Sequence, residues 1–384
     1  MTSPETAPDM PVTPIGLAAL ARYFLHLGAT GFGGPVALCG LMERDLVERR
    51  GWLGAAELRD MIAVCQSMPG PLAVQVGIFV GYRFRGFWGA WVAGGALILP
   101  ASVMVTVLAA AYARLGDLPW VTAIVYGVNP AVIALILQSW WRLVRLGMAD
   151  RFQWSLAGLG LAATFALAGQ LPLVFLAAGA VGALWYRTRP QGTAPLAVIA
   201  SPWALGKLAG YFFVTGSVSF GSALAVVPLL ETGLVQQGHW LTAHDFLVAV
   251  AAGMLTPGPI MTIASFAGYL VAGLPGAALC TVAVFLPSFL LVLLVAPPLL
   301  RHRGHRLVQG FLKGVYAAAI GAILGAAALL GRGAIGDWLT ALIAAGGLAA
   351  LVRFRIGNPL LVGIAAAIGL AAFPLLHPAW VLAR

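Results

Sequence analysis

Residues 66–71 read Gln-Ser-Met-Pro-Gly-Pro, and residues 254–259 read Met-Leu-Thr-Pro-Gly-Pro. The two triplets, Pro69-Gly70-Pro71 and Pro257-Gly258-Pro259, lie 188 positions apart, each inside an apolar run. The same offset pairs Phe32-Gly33 with Phe220-Gly221, Glu43 with Glu231, and Trp52-Leu53 with Trp240-Leu241. One residue then drops out. At an offset of 187, Gly81 pairs with Gly268, Gly86 with Gly273, Gly89-Ala90 with Gly276-Ala277, Pro100 with Pro287 and Pro172 with Pro359. Agreement over this length marks a duplicated chain whose halves break their hydrophobic runs at the same place.

Of the 384 residues, 61% are hydrophobic and only 9% charged. Soluble domains carry about 25% charged residues, so the composition is that of a membrane protein. The 48 glycines and 24 prolines are tolerated in spanning helices where neighbours or a polar cavity re-satisfy the backbone. The net charge of +10 does not indicate nucleic acid, because the basic residues form short clusters between apolar runs, as in loops facing anionic lipid and cytoplasm. Cys39, Cys65 and Cys280 show no metal or disulfide spacing and read as small apolar filler. The segment Met1–Pro14 is acidic and proline-rich, unlike a cleaved signal peptide.

The apolar runs and loops predict the crossings. A first run, Pro14–Met42, is interrupted at Gly31–Pro35; a polar stretch, Glu43–Arg59, precedes the broken run Asp60–Tyr82. Gly86–Ala113 and Leu118–Gln138 each suffice for a crossing of about 20 residues. Trp154–Tyr186 is too long for one crossing and reads as two short helices turning at Gly169–Pro172. The first repeat is thus placed at 14–186, a cytoplasmic linker at 187–202, and the second repeat at 203–376.

Charge orients the halves. Loop 43–59 carries Arg44, Arg49, Arg50 and Arg59, whereas its counterpart 231–247 has no Lys or Arg. The bias reverses at the next loop, where residues 114–119 hold one Arg and residues 301–306 read Arg-His-Arg-Gly-His-Arg. Basic loops face the cytoplasm, so the copies are expected to cross in opposite directions. Arg83 and Arg85 follow the first broken run and Arg44–Arg59 precede it, which predicts that the run re-enters rather than crosses. The predicted fold is an all-α integral membrane protein of two inverted-topology repeats. Each has about five spanning helices, with broken or re-entrant helices meeting near the midplane and both termini outside.

The breaks have a chemical consequence. Pro71 lacks an N–H and has a preset φ suited to a first helical turn, while Pro69 disfavours helical geometry before it. One helix should stop near Gln66 and another start at Pro71, presenting unpaired N–H groups and a positive dipole end at membrane depth, where an anion is stabilised. Pro259 repeats this in the second half, and Gly33-Gly34 and Gly221-Ser222 add two more irregular points. Inverted repeats with discontinuous helices are the recurring plan of secondary transporters. Proline and glycine also serve packing alone, which is the reading for Gly321–Gly325.

The series Phe32-Gly33-Gly34-Pro35, Gly51-Trp52-Leu53, Gln66–Pro71, Gly81-Tyr82, Gly86 and Leu99-Pro100 resembles the motif series of the chromate ion transporter family. The resemblance covers about residues 20–330, with the second half degenerate. It implies a two-domain member, a multi-pass carrier in the bacterial plasma membrane that exports chromate, coupled to protons. The chain departs from the pattern at Gly221-Ser222 and at Thr256, where Gln is expected.

Candidate substrate contacts are therefore Gly33, Gly34, Gln66, Ser67, Pro69, Gly70, Pro71, Gly221, Ser222, Thr256, Pro257, Gly258 and Pro259. Candidate coupling or pathway residues are Arg22 and His26, one turn apart, the pair Glu43 and Glu231, and Asn129 beside Pro130. Asp60 reads as an N-terminal cap of the broken run. His239, His244, His302 and His305 have no metal-ligand spacing. No cofactor is expected, and the expected partners are the oxyanion, the bilayer, protons and a second copy in a homodimer. Alternatives are a sulfate or other oxyanion transporter, or an anion channel. A lipid-modifying enzyme would need paired acids or a nucleophile with its base, a passive assembly protein would not need two matched breaks, and there is no P-loop for direct ATP drive.

Overall fold

The computed structural model describes residues 15–32, 34–66, 68–116, 118–148, 150–166, 171–185, 204–217, 227–296, 306–354 and 356–376. Every element there is a helix. Equivalent helices begin and end at equivalent places. Thus α1 (Leu17–Thr30) corresponds to α8 (Ala204–Ser217), and α3 (Ala55–Gln66) to α10 (Ala243–Leu255). Likewise α5 (Pro119–Gly147), α6 (Arg151–Ala166) and α7 (Leu171–Trp185) correspond to α12 (Arg306–Ala334), α13 (Trp338–Arg353) and α14 (Asn358–Leu376). Between these, α2 (Gly34–Met42) winds into a π-helical turn, Glu43–Arg49, and α9 (Val227–Glu231) into another, Thr232–Gln237.

Local chemistry explains several of these starts. The carboxylate of Asp150 accepts from the Gln153 N–H at 2.8 Å, and Asp337 accepts from the Thr340 N–H at 2.8 Å, capping α6 and α13 at matched positions. Thr242 and Asp245 form a reciprocal box at the start of α10. Asp60 does not cap a helix, contrary to the sequence expectation, because α3 already begins at Ala55. Its first turns are helical despite their charge because Leu58 and Met61 are buried while Ala56 and Arg59 face outward. The stretch 154–186 is indeed two helices, α6 and α7; the turn at 167–170 and the linker 187–202 lie outside the described residues.

The remaining pair, α4 (Leu72–Leu115) and α11 (Ile263–Leu294), each contain one sharp reversal. It lies at Arg85 (φ −138°, ψ 25°) and Gly86 (φ 56°, ψ −141°), and again at Ala272 (φ −146°, ψ 28°) and Gly273 (φ 61°, ψ −149°). Only glycine adopts such a positive φ without strain. The arms on either side run antiparallel, with Gly81 against the Gly89 backbone and Gly268 against that of Gly276, where no Cβ fits. The outer end of the first arm returns to where α3 began: the Arg83 Nε donates to Glu57 Oε1 at 2.6 Å. Both ends of the broken run therefore lie at one level, with Pro-Gly-Pro at its far tip.

The two halves interlock. The long elements α4 and α11 pack on each other, flanked by α1 and α8 respectively. Trp91 stacks on Phe289 at 4.3 Å between centroids. Outside this centre the partners are exchanged: α5 lies on α13 and α14 of the other half, and α12 lies on α6 and α7. Small residues carry these contacts, Gly127 against Ala365 and Gly314 against Ala178, Gly160 against Ala318 and Gly321 against Ala157. Close backbone approach of this kind is how helices associate in lipid, and the packing role read for Gly321–Gly325 is found. Leu72–Leu115, Trp120–Arg145 and Ile260–Leu294 are long and apolar enough to span a membrane. The outward faces carry large apolar side chains such as Trp88, Val107, Leu159 and Leu294. The chain is an all-α membrane protein.

Candidate functional site

Each break is built by the same few residues. Helix α3 stops at Gln66, Gly70 takes φ 131°, and Pro71 (φ −69°, ψ 106°) caps α4, which starts at Leu72. The sequence placed Pro71 in the first turn; it stands one position earlier. In the second half α10 stops at Leu255, Gly258 takes φ 95°, and Pro259 (φ −77°, ψ 127°) caps a 3-10 turn, Ile260–Thr262, that leads into α11. Both glycine conformations exclude a side chain without strain.

The breaks meet. The backbone N–H of Gly258 donates to the carbonyl of Gly31, at the end of α1, at 2.8 Å. Gly34 and Pro35 of the glycine break, Pro71 of the first triplet with Ala73 of α4 just after it, and Gly258 and Pro259 of the second triplet line one small cavity. Its free volume is about 10 Å³, roughly that of one water. A tetrahedral oxyanion is several times larger and enters only if the walls part. The helix starts at Leu72 and Ile260 border this cavity, so the positive ends of their dipoles lie beside it.

Each triplet also packs on the opposite half. A Cβ on Gly258 would lie 2.8 Å from that of Ala101, and one on Gly70 would lie 2.9 Å from Ser288 Oγ. Ala101 and Ser288 are equivalent at the 187-residue offset. Gln75 also packs on Gly70, and its Nε2 donates to the Pro69 carbonyl at 2.5 Å. Gln75 and Ser288 are both fully buried, and neither was singled out from the sequence. The available signals were a lone amide in an apolar run and a hydroxyl after the matched Pro287.

Of the sequence candidates, the structure brings Gly34, Pro71, Gly258 and Pro259 together around the cavity, with Pro69, Gly70 and Pro257 beside them. Gly33, Ser67, Gly221 and Ser222 lie outside the described residues. Gln66 is exposed, and Thr256 donates to the Ala252 carbonyl at 3.0 Å, which engages its hydroxyl within its own helix. At the 188-residue offset Thr256 aligns with Met68, and it is Met254 that stands where the first half has Gln66.

Arg22 and His26 lie on the exposed face of α1, away from the break. Asn129 is buried in α5, its Nδ2 3.4 Å from His244 Nδ1 of the other half. Glu43 and Glu231 adjoin matched π-helical turns, which often mark functional positions. They differ in setting: Glu43 is half-buried, whereas Glu231 is 5% exposed and accepts from Gln236 Nε2 at 2.9 and 3.0 Å. Burial pushes the Glu231 carboxyl above the usual range, partly offset by the Gln236 amide. Among the described residues no cluster of three His, Cys, Asp or Glu is placed to hold a metal.

The comparisons with known proteins agree with this architecture. The family model for the chromate transporter matches twice, over residues 18–183 and 206–370. The chain is 40% identical to the chromate transport protein of Cupriavidus metallidurans over 94% of both chains. It is 39% identical to a probable chromate transport protein of Synechococcus elongatus, covering 92% of this chain and 95% of that one. A chromate transport protein of Pseudomonas aeruginosa is 28% identical over 81% of this chain. No solved structure matches. With the family's model matched twice along one chain and two relatives of about 40% identity over more than nine-tenths of it, this protein belongs to the chromate transporter family as a two-domain, long-chain member.

Proposed function

We propose that the protein is a secondary active transporter that exports chromate across the bacterial cytoplasmic membrane in exchange for or together with protons. In this reading the two repeats are inverted in the bilayer, and the anion binds where their breaks face each other. The observation that carries it is the contact of Gly258 N–H with Gly31 O, beside a cavity that Pro71 also lines. Depth supports it as well. Gly258 packs on Ala101, which stands about fourteen residues or ~20 Å into the second arm of α4, well inside a hydrocarbon core of ~30 Å. Chromate as substrate rests on the named relatives; the helix starts beside the cavity favour an anion.

The deciding experiment follows labelled chromate into everted membrane vesicles, with sulfate as competitor and an imposed pH gradient. Saturable uptake that responds to the gradient is the expected result. Flux that is linear in chromate and indifferent to the gradient would point to a channel. Uptake of sulfate with exclusion of chromate would overturn the assignment of substrate.

A further inference from the structure

Two polar atoms at the first break have no hydrogen-bond partner among the described residues although both side chains are wholly enclosed: Gln75 Oε1 and Ser288 Oγ. An orphaned buried polar atom is destabilising, so two of them on side chains that pack on one glycine call for an explanation. The two side chains come from different halves and both pack on Gly70, Gln75 through its amide Nε2 and Cδ from the first turn of α4, and Ser288 through its Oγ from α11 behind Pro287. The second break is different. There Ala101 stands in place of Ser288, and Thr262, at the position of Gln75, donates to the Pro259 carbonyl at 2.9 Å. At the second break the hydroxyl is thus engaged locally and the residue behind the glycine is apolar, whereas the first keeps the Ser288 hydroxyl and the Gln75 amide oxygen unpartnered.

We propose that Gln75 and Ser288 are the side chains that read the anion, forming a subsite at Gly70 for a tetrahedral oxyanion. The Ser288 hydroxyl supplies a donor from the second half. The Gln75 amide, now donating to the Pro69 carbonyl, turns its Nε2 to the anion when the break opens, and the backbone N–H groups at the start of α4 complete the set. The subsite makes binding depend on both halves at once, so its occupancy is coupled to how they sit against each other. It also makes the halves unequal, with substrate read at the first break and the second closing against Gly31.

This inference rests on the transport function proposed above, and the test separates the two. Chromate binding to the detergent-purified full chain is measured by the shift it causes in thermal unfolding, and uptake is measured in proteoliposomes. Ser288→Ala is expected to raise KM for chromate about tenfold, the effect of losing one hydrogen bond to a charged group, with maximal rate and membrane yield unchanged. If Ser288 were only a buried orphan, its removal would leave KM unchanged and the protein as stable or more so. Gln75→Glu keeps the shape and adds a charge that repels the anion when ionised. Its uptake should recover as pH falls, relative to wild type at each pH. Unchanged KM in the first variant together with a wild-type pH profile in the second overturns the subsite. If wild-type protein neither binds nor carries chromate, the substrate assignment fails, and sulfate and phosphate become the probes. A stabilising shift by one of them that weakens in Ser288→Ala upholds the subsite, and no shift by any of the three overturns it.

Discussion

Gly70 and Gly258 are the positions where the backbone, and not a side chain, sets the site. At φ 131° and 95° a Cβ is strained, and at Gly70 it would also press on Gln75 and Ser288. Gly70→Ala should therefore lose most chromate uptake while inserting normally, and Gly70→Leu should lose all of it. Undiminished uptake by the leucine variant, measured at equal membrane yield, would remove the break from the site. Glu231 makes a prediction of opposite character. Burial raises its carboxyl, so the folded state holds the proton more firmly than the unfolded chain does. Its contribution to stability is complete below the unfolded carboxylate range and is lost as pH rises through the higher folded-state value. The unfolding midpoint of wild-type protein should thus fall with rising pH across that window relative to Glu231→Gln, which lacks the carboxyl. Parallel midpoint curves for the two proteins would show that the carboxyl titrates as if exposed. Gln75 and Ser288 escaped the sequence reading for a physical reason: their meeting depends on α4 and α11 packing across more than half the chain, which no local pattern records. The hydroxyl that stood out beside the second triplet, Thr256, is engaged by its own helix.

At the scale of elements, boundaries were legible wherever chemistry punctuates the chain. The stop at Gln66, the start after Pro71, the reversal at Gly86 and the hairpin of α6 and α7 all follow from Pro and Gly, and each recurs in the second half. What misled was charge. The stretch Glu43–Arg59 reads as a loop, yet it holds a π-helical turn and the start of α3, because a helix with one buried stripe accommodates charge on its other face. Caps at the second-half elements also tie the halves together. Asp337 caps α13 and accepts from the Tyr126 hydroxyl of α5 at 2.6 Å. Burial would raise its carboxyl, but the Thr340 N–H, the Tyr126 hydroxyl and further donors outweigh that and hold it below the usual range. The sign is the reverse of that for Glu231: stability is present above the unfolded value and is lost as pH falls through the folded one. Asp337→Ala should cost about 1 kcal/mol, the usual cap loss, and the difference from wild type should vanish in acid. A deficit that persists at low pH would assign the effect to packing rather than to the ionised cap.

For the whole molecule, the exchange of partners between halves has a mechanical meaning. Since α5 rests on α13 and α14 while α12 rests on α6 and α7, neither half moves as an independent body. A change at the central α4–α11 contact would be expected to reach both flanks. That is the geometry expected if an inverted pair alternates between two mirror-related openings, and it makes membrane orientation the property on which the transport reading stands. Arg49 and Gln237 are equivalent at the 188-residue offset, and both are exposed at the ends of matched π-helical turns. The three native cysteines are buried and leave a quiet background for labelling. With Arg49→Cys, an impermeant thiol reagent should react in everted vesicles and not in intact cells, because its loop is basic and the inverted-repeat reading puts basic loops on the cytoplasmic side. With Gln237→Cys the pattern should reverse. Labelling of both positions from the same side would place the halves in parallel. The two helix starts would then point the same way through the membrane, and the facing breaks would no longer form a site open to each side in turn.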